Sequence, residues 1–255
     1  MQIRTNTMKQ KLKTGQPIFG AGVRLPEPGL VEVMGYAGMD YVLIDAEHGS
    51  IGWSDMERMI LAAFASDTTP IVRVHENNEA MVMRALDIGA MGVLVPHCRN
   101  AEDAQRLVNG ALYPPEGKRG IGPGRGAKFG AVSNKDYYDN INAEVVVMAM
   151  IEDAEAVENI DAIVEVKGID VLVCGTSDLA ASMGLPGQPL HPTVTAAAEK
   201  VLATATRKGI AVGYPIRNPE DGKQAIQKGF RVFFCGSAAP MLLTYTQEYL
   251  SALRS

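Results

Sequence analysis

Residues 41–96 read YVLIDAEHGSIGWSDMERMILAAFASDTTPIVRVHENNEAMVMRALDIGAMGVLVP, and the rhythm of this stretch decides the fold. It holds three short apolar runs, Tyr41–Asp45, Pro70–Val74 and Gly92–Pro96, separated by amphipathic stretches of helix length. A parallel strand covered on both faces needs such near-continuous apolar runs, because neither face meets water. The segment between the last two runs carries its own punctuation. Asn78 precedes Glu79–Ile88, a side chain suited to cap the first turn, and Gly89 stops the helix.

The alternation extends in both directions. Strands are expected at Ile18–Val23, and again at Val145–Glu152, Asp170–Gly175, Ile210–Tyr214 and Arg231–Cys235, making eight with the three above. Asn100 opens a helix at Ala101–Leu112 that runs into Pro114-Pro115. Glu155–Val166 ends at Lys167-Gly168 and Pro192–Lys208 at Gly209, basic-then-glycine helix exits. A last helix is expected at about 239–253. Strict alternation means an α/β fold, and eight repeats in 255 residues favour a closed (β/α)8 TIM barrel, one domain over 1–255. An open doubly wound sheet is the alternative.

The interval between the fourth and fifth strands is the exception. Glycines at 117, 120, 122, 124, 126 and 130 make about 113–130 a Gly/Pro-rich loop. Gly124-x-Gly126 is no dinucleotide fingerprint, since no strand leads into it. Placed after a strand's carboxyl end, the loop is read as a lid or a subunit contact.

With 24 Lys+Arg against 29 Asp+Glu the net charge is −5, and 47% of residues are hydrophobic. These values argue against disorder, and against general binding to nucleic acid or anionic membrane, both of which call for basic patches. A small anionic substrate stays open, because a local site can oppose the global charge. Cys98, Cys174 and Cys235 have no CxxC spacing, so neither a disulfide framework nor a zinc knuckle is indicated. No apolar run follows the basic residues of segment 1–15, and no stretch approaches the length of a membrane span. A soluble, cytoplasmic protein is expected.

In a barrel the active site lies at the carboxyl ends of the strands. Polar residues expected there are Arg24, Asp45, Glu47, His48, Arg73, His75, His97, Glu152, Asp153, Thr176, Ser177, Asp178, Arg217 and Ser237. His75 and His97 are read as satisfied loop residues, and His191, before Pro192, as a capping or surface residue. Glu152 and Asp178 lie one β/α repeat apart and so end neighbouring strands. At a strand spacing of about 4.8 Å two carboxylates reach one cation at roughly 2.1 Å each. Hard oxygen ligands point to Mg²⁺, Mn²⁺ or a similar octahedral ion; the alternative is that each acid caps the helix after it. Arg73 interrupts an apolar strand, so its guanidinium must be paired or functional. It can clamp a carboxylate or offset enolate charge. Asp45 and His48 share a turn, where Asp45 either orients the imidazole for acid/base work or bonds the backbone.

Several of these motifs stand in the order of a known family. Asp40-Tyr-Val-Leu-Ile-Asp-Ala-Glu-His-Gly49 resembles the second-strand signature of the HpcH/HpaI aldolases, the metal-dependent pyruvate aldolases. Leu86-Asp-Ile-Gly-Ala-Met-Gly92, Tyr113-Pro-Pro-Glu-Gly-Lys-Arg-Gly120, Ile151-Glu152 and Gly175-Thr-Ser-Asp-Leu-Ala-Ala-Ser-Met-Gly184 follow in the same order. The resemblance implies a (β/α)8 barrel assembled as a homohexamer, a trimer of dimers. It also implies reversible cleavage of 4-hydroxy-2-oxo acids to pyruvate, or a related 2-oxo acid, and an aldehyde. A divalent ion, Mg²⁺, Mn²⁺ or Co²⁺, would be held by Glu152 and Asp178. Arg73 would stand beside the keto oxygen, with Asp45 and His48 as the acid/base dyad. The backbone amides of Gly175, Thr176 and Ser177 would hold the pyruvyl carboxylate. No lysine lies within the strands, which weakens a Schiff-base alternative.

Two positions depart from the family pattern. Met150 stands where many members carry Gln, two residues before the metal-binding Glu. Gly22, followed by Arg24, replaces the usual Gly-x-Trp end of the first strand, a smaller wall with a cation nearby. Glu47, Arg24 and Met150 are therefore candidate pocket residues, and the aldehyde is expected to differ, bulkier or anionic. Two rival readings are a lyase of citryl- or malyl-CoA type and a catalytically silent barrel serving as a binding protein. The first needs a basic CoA-binding surface. The second predicts loss of a charged site residue, whereas Asp45, His48, Arg73, Glu152 and Asp178 are all present.

Overall fold

The structure, a computed structural model, describes residues 2–122 and 124–254. Its strands are β1 (Ile18–Val23), β2 (Tyr41–Asp45), β3 (Thr69–Arg73), β4 (Gly92–Val95), β5 (Val146–Ile151), β6 (Val171–Cys174), β7 (Ala211–Pro215) and β8 (Val232–Ser237). Each pairs in parallel with the next, and β8 returns to β1, with Ile18 opposite Val232 and Gly20 opposite Phe234. That last pairing closes the expected (β/α)8 barrel and excludes the open sheet. Strand ends agree with the sequence reading to within two residues. The helix expected at Glu155–Val166 is instead two short ones, Ala154–Glu158 and Ile160–Ile163, divided at Asn159.

Two-residue periodicity builds both layers of the core. Tyr41, Leu43, Ile71, Leu94, Val146, Met148, Val171 and Val173 fill the barrel as one buried cluster. Their alternates Val42, Ile44, Val72, Val93, Val147 and Leu172 join the larger cluster beneath the helices. Each fully buried aliphatic side chain contributes about 1.5–3 kcal/mol relative to exposure. Gly20 makes room for the largest inward group, since a Cβ there would stand 2.3 Å from the Tyr41 ring. The Tyr41 hydroxyl, otherwise stranded in this apolar interior, donates to the Phe233 carbonyl at 3.1 Å. The helix Thr7–Lys13 plugs the amino-terminal mouth, with Met8 fully buried in the inner cluster. Asn6 caps that helix and ties it down, its Nδ2 donating to Met91 O and Glu144 O.

The Gly/Pro-rich segment does not serve as a lid over the strands' carboxyl ends. It follows the helix Ala101–Ala111, which has already carried the chain back to the amino-terminal end of the barrel. Buried Arg119 donates to Asp87 at 2.5 Å, at the end of the helix Glu79–Asp87, and Arg125 pairs with Glu57. A 3₁₀ turn, Arg125–Gly130, and the helix Asn134–Asn140 lead on to β5. The chain's last helix, Ala238–Arg254, leaves Leu242, Tyr245 and Tyr249 exposed.

Candidate active site

The same periodicity that packs the barrel carries polar side chains inward at its carboxyl rim. Asp45 follows Tyr41 and Leu43 on β2, and Arg73 follows Ile71 on β3. The register sets these two residues opposite each other. Both are buried, and Arg73 donates from Nε to Asp45 Oδ1 at 2.9 Å and from Nη2 to Oδ2 at 2.5 Å. Arg24, just after β1, adds a bond from Nε to Oδ2 at 2.8 Å. Burial alone would raise the Asp45 carboxyl; the two guanidinium groups and the His48 amide outweigh it and hold the group below the usual carboxylate range.

The His48 contact decides between the two readings of that turn. Asp45 Oδ1 accepts from the His48 backbone N–H at 3.2 Å, so the turn is held by an Asp–backbone bond. The His48 ring is half exposed, its Nε2 3.7 Å from Glu47 Oε2. Asp45 therefore positions His48 through the main chain rather than through the imidazole.

On the opposite rim Glu152 continues the inward row of Met148 and Met150. It is 2% exposed and accepts from the His97 backbone N–H at 2.8 Å. Burial raises its carboxyl, and the charges of Glu47 and Asp178 add to this against the opposing pull of His97. Gly175 allows the approach of β6, because a Cβ there would lie 2.8 Å from Glu152 Cβ. His97 has φ +53°, and its Nδ1 lies 3.1 Å from Asp153 Oδ2 and 3.4 Å from Glu152 Oε1. Burial lowers its pKa, but the two carboxylates win and raise it.

Ligand atoms of Glu47, His97 and Glu152 all lie within 4.8 Å of one another, a possible metal site. Glu47 Oε2 is buried and accepts no hydrogen bond, although Arg73 Nη1 stands 3.0 Å away. An unsatisfied buried carboxylate oxygen beside a second buried carboxylate is costly unless a cation joins them. Oxygen donors in the majority suit a hard divalent ion. Asp178 stands outside this close group, in the first turn of the helix Thr176–Ser182. It is exposed and lines the cavity at the carboxyl rim. Neither Glu152 nor Asp178 makes a capping bond to the helix after it.

A cavity of about 510 Å³ opens at the carboxyl rim of the barrel. Asp45, His48, Arg73, Met150, Asp178 and the Gly175–Ser177 turn line it, as do Gly22, Arg24 and Arg217. Met150 Sδ lies 3.9 Å from Arg73 Nη1, so a weak sulfur acceptor occupies that position. The sequence marks Glu47 only as a pocket residue and His97 as a satisfied loop residue; the structure brings both to Glu152. The signal for His97 was its place directly after the fourth strand. Its left-handed backbone, which composition does not reveal, accompanies a half-exposed ring beside Glu152 and Asp153. His75 is exposed in the turn after β3, and His191 caps the helix Pro192–Arg207, its Nδ1 accepting from Thr193 N–H at 3.2 Å.

Residues 22–243 match the sequence pattern of the HpcH/HpaI aldolase/citrate lyase family. A hydroxypyruvate/pyruvate aldolase of Roseobacter denitrificans is 35% identical over 242 residues, 93% of each chain. A 4-hydroxy-2-oxo-heptane-1,7-dioate aldolase of Escherichia coli is 32% identical, over 97% of this chain and 94% of that one. The crystal structure of a family member from Burkholderia cenocepacia superposes with a TM-score of 0.92 at 32% identity, covering 98% of this chain and all of the other. Barrel, rim and sequence agree: the chain belongs to the HpcH/HpaI aldolase/citrate lyase family.

Proposed function

We propose that this protein is a metal-dependent aldolase, a carbon–carbon lyase that reversibly cleaves 4-hydroxy-2-oxo acids to pyruvate, or a related 2-oxo acid, and an aldehyde. The observation that carries the reading is the buried Glu152 carboxylate beside Glu47, whose Oε2 in turn lies 3.0 Å from the buried Arg73. Relatives at 32–35% identity named as a hydroxypyruvate/pyruvate aldolase and a 4-hydroxy-2-oxo-heptane-1,7-dioate aldolase favour the aldolase over the CoA-lyase and silent-barrel readings.

Glu152 and Asp178 would hold a divalent ion, Mg²⁺, Mn²⁺ or Co²⁺, with Glu47 and His97 beside them. Asp178 is suited to this because its carboxylate is exposed, lines the cavity and is close enough to act electrostatically on Glu152. When bound, the ion supplies Lewis-acid polarisation of the 2-keto oxygen. The amides of Thr176 and Ser177 hold the substrate carboxylate at the cavity wall, whereas the expected Gly175 amide already donates to Ile151 O at 3.1 Å. Arg73, with Nε and Nη2 on Asp45 and Nη1 3.0 Å from Glu47 Oε2, sets its positive charge beside the keto oxygen as that oxygen gains charge. His48, at the cavity mouth, removes the 4-hydroxyl proton, and the C3–C4 bond breaks. Its electron pair passes into the enolate of pyruvate beside Arg73, and protonation at C3 completes the cleavage.

The exposed apolar face of the last helix supports assembly into a homohexamer, and the loop at 113–130 retains its reading as a subunit contact. Three free cysteines support a reducing, cytoplasmic setting. No helix of the described residues is long and apolar enough to cross a membrane. Pyruvate release from 4-hydroxy-2-oxo acids, followed by a coupled reductase, tests the proposal. Release must stop with EDTA and return with Mn²⁺ or Mg²⁺; release that persists in chelator contradicts it.

A further inference from the structure

A second cavity, of about 180 Å³, opens at the other end of the barrel. Met91 and Val145 line it, and they directly precede β4 and β5, beyond whose far ends His97 and Glu152 follow. The helix Trp53–Ala65 contributes Leu61 and Phe64 to its walls, and the 3₁₀ turn Arg125–Gly130 contributes Arg125, Gly126 and Lys128. It shares no lining residue with the cavity at the carboxyl rim.

The walls combine apolar surface with an excess of positive charge. Leu86, Met91, Ile141 and Val145 are buried there. Arg4, Arg119, Arg125 and Lys128 also line the cavity, and no carboxylate does. Two carboxylates outside the lining answer two of these cations. Asp87 accepts from Arg119 Nη2 at 2.5 Å, and Glu57 accepts from Arg125 Nη2. The Arg119 side chain is 1% exposed, and its guanidinium lies 4.6 Å from the centre of the Tyr113 ring. Burial raises the Tyr137 phenol against the pull of Arg119, so Tyr137 stays a neutral group on the same wall. Yet Nε of Arg119 and Nε of Arg125 are both buried with no hydrogen-bond partner. A guanidinium carries donors only, so an acceptor alone can satisfy it, and a buried donor left unmet is costly.

A bare inorganic anion would answer these donors and leave the apolar wall wet. A neutral apolar molecule would cover the wall and leave the donors unmet. The volume falls below the roughly 300 Å³ at which drug-sized pockets begin, so the occupant is small. We propose that this cavity is a binding site, separate from the catalytic one, for a small carboxylate with an apolar body, of about the size of benzoate. The carboxylate meets Arg119 and Arg125, and the apolar body lies against Leu86, Met91 and Ile141.

Titration calorimetry on protein kept in EDTA tests the chemistry with benzoate, its neutral isostere benzamide, and inorganic phosphate. Benzoate is expected to bind at least about tenfold more tightly than either of the others, the effect of charge-assisted bonds joined to apolar burial. Arg125→Gln must weaken benzoate about tenfold. Lys128→Gln, at an exposed position, must weaken it severalfold, and so serves also if the first variant does not fold. A crystal soaked with 4-bromobenzoate is expected to show a bromine anomalous peak inside this cavity, against Leu86 and Met91. Absence of benzoate binding, benzamide or phosphate binding as tightly, or an affinity unmoved in the variants overturns the site. A bromine peak confined to the catalytic cavity overturns it as well, and a peak here without binding in solution means binding at crystal concentration only, which also overturns it. Neither measurement involves aldol cleavage, so the outcome stands apart from the aldolase reading.

Discussion

Arg73 and Asp45 meet across the β2–β3 register, and one guanidinium holds both oxygens of one carboxylate, at 2.9 and 2.5 Å. Both groups are buried, and the pair forms the centre of a chain of charges running Arg24, Asp45, Arg73, Glu47. Burial lowers the Arg73 pKa, but its bonds and attraction to Asp45, with Glu47 and Glu152 beyond, outweigh this and raise it. Arg73 thus stays charged where negative charge is expected to develop.

Arg73→Lys removes the fork that makes this pairing possible, since an ammonium is a single point donor. Aldol cleavage is expected to fall about 10²–10³-fold in kcat, the usual cost of losing a donor to developing charge. Arg73→Met leaves the buried Asp45 carboxylate to Arg24 and the His48 amide, at a cost of up to about 3–5 kcal/mol in urea unfolding. Wild-type kcat in the lysine variant would show that Arg73 is structural only.

Gly20→Ala tests how the barrel interior is filled. Its Cβ would overlap the Tyr41 ring, which cannot withdraw without breaking the bond to Phe233 O. Overpacking of this kind costs about 1–3 kcal/mol. A lowered urea midpoint or insoluble expression is the expected result, and an unchanged midpoint would mean that Tyr41 does not occupy the space over Gly20.

Thiol reactivity offers a pH test of the packing around β4 and β6. Burial pushes both Cys98 and Cys174 up to about 12, with Asp103 adding to the shift at Cys98. Burial also raises Cys235, against a bond from the Gly20 backbone. A thiol with that pKa is thiolate in only about one molecule in ten thousand at pH 8. Ellman's reagent should therefore label the native protein slowly between pH 7 and 9, and titrate all three thiols after denaturation. Two rapid equivalents in the native state would contradict the packing around β4 and β6.

The barrel was readable because each strand is an apolar run with its own period. Ile18–Val23 and Tyr41–Asp45 coincide with β1 and β2 for that reason. Asn159 interrupts an amphipathic pattern that continues through it, so the break between the short helices was hidden. The lid reading of 113–130 ignored the helix Ala101–Ala111, which reverses the chain before the loop begins. At the site, proximity in sequence placed His48 beside Asp45 but could not say whether amide or ring meets the carboxylate. The bond from Arg24 to Asp45 and the approach of His97 to Glu152 depend on pairings between distant strands and on a left-handed residue. Only the folded chain displays those.

The seat of the divalent ion is the claim on which the mechanism turns. An anomalous-difference map from crystals soaked with Mn²⁺ and pyruvate tests it most directly. The predicted result is one peak within about 2.1–2.3 Å of carboxylate oxygens from both Glu152 and Asp178. A rim without a peak, or a peak held by Glu47 and His97 with Asp178 turned away, would contradict it.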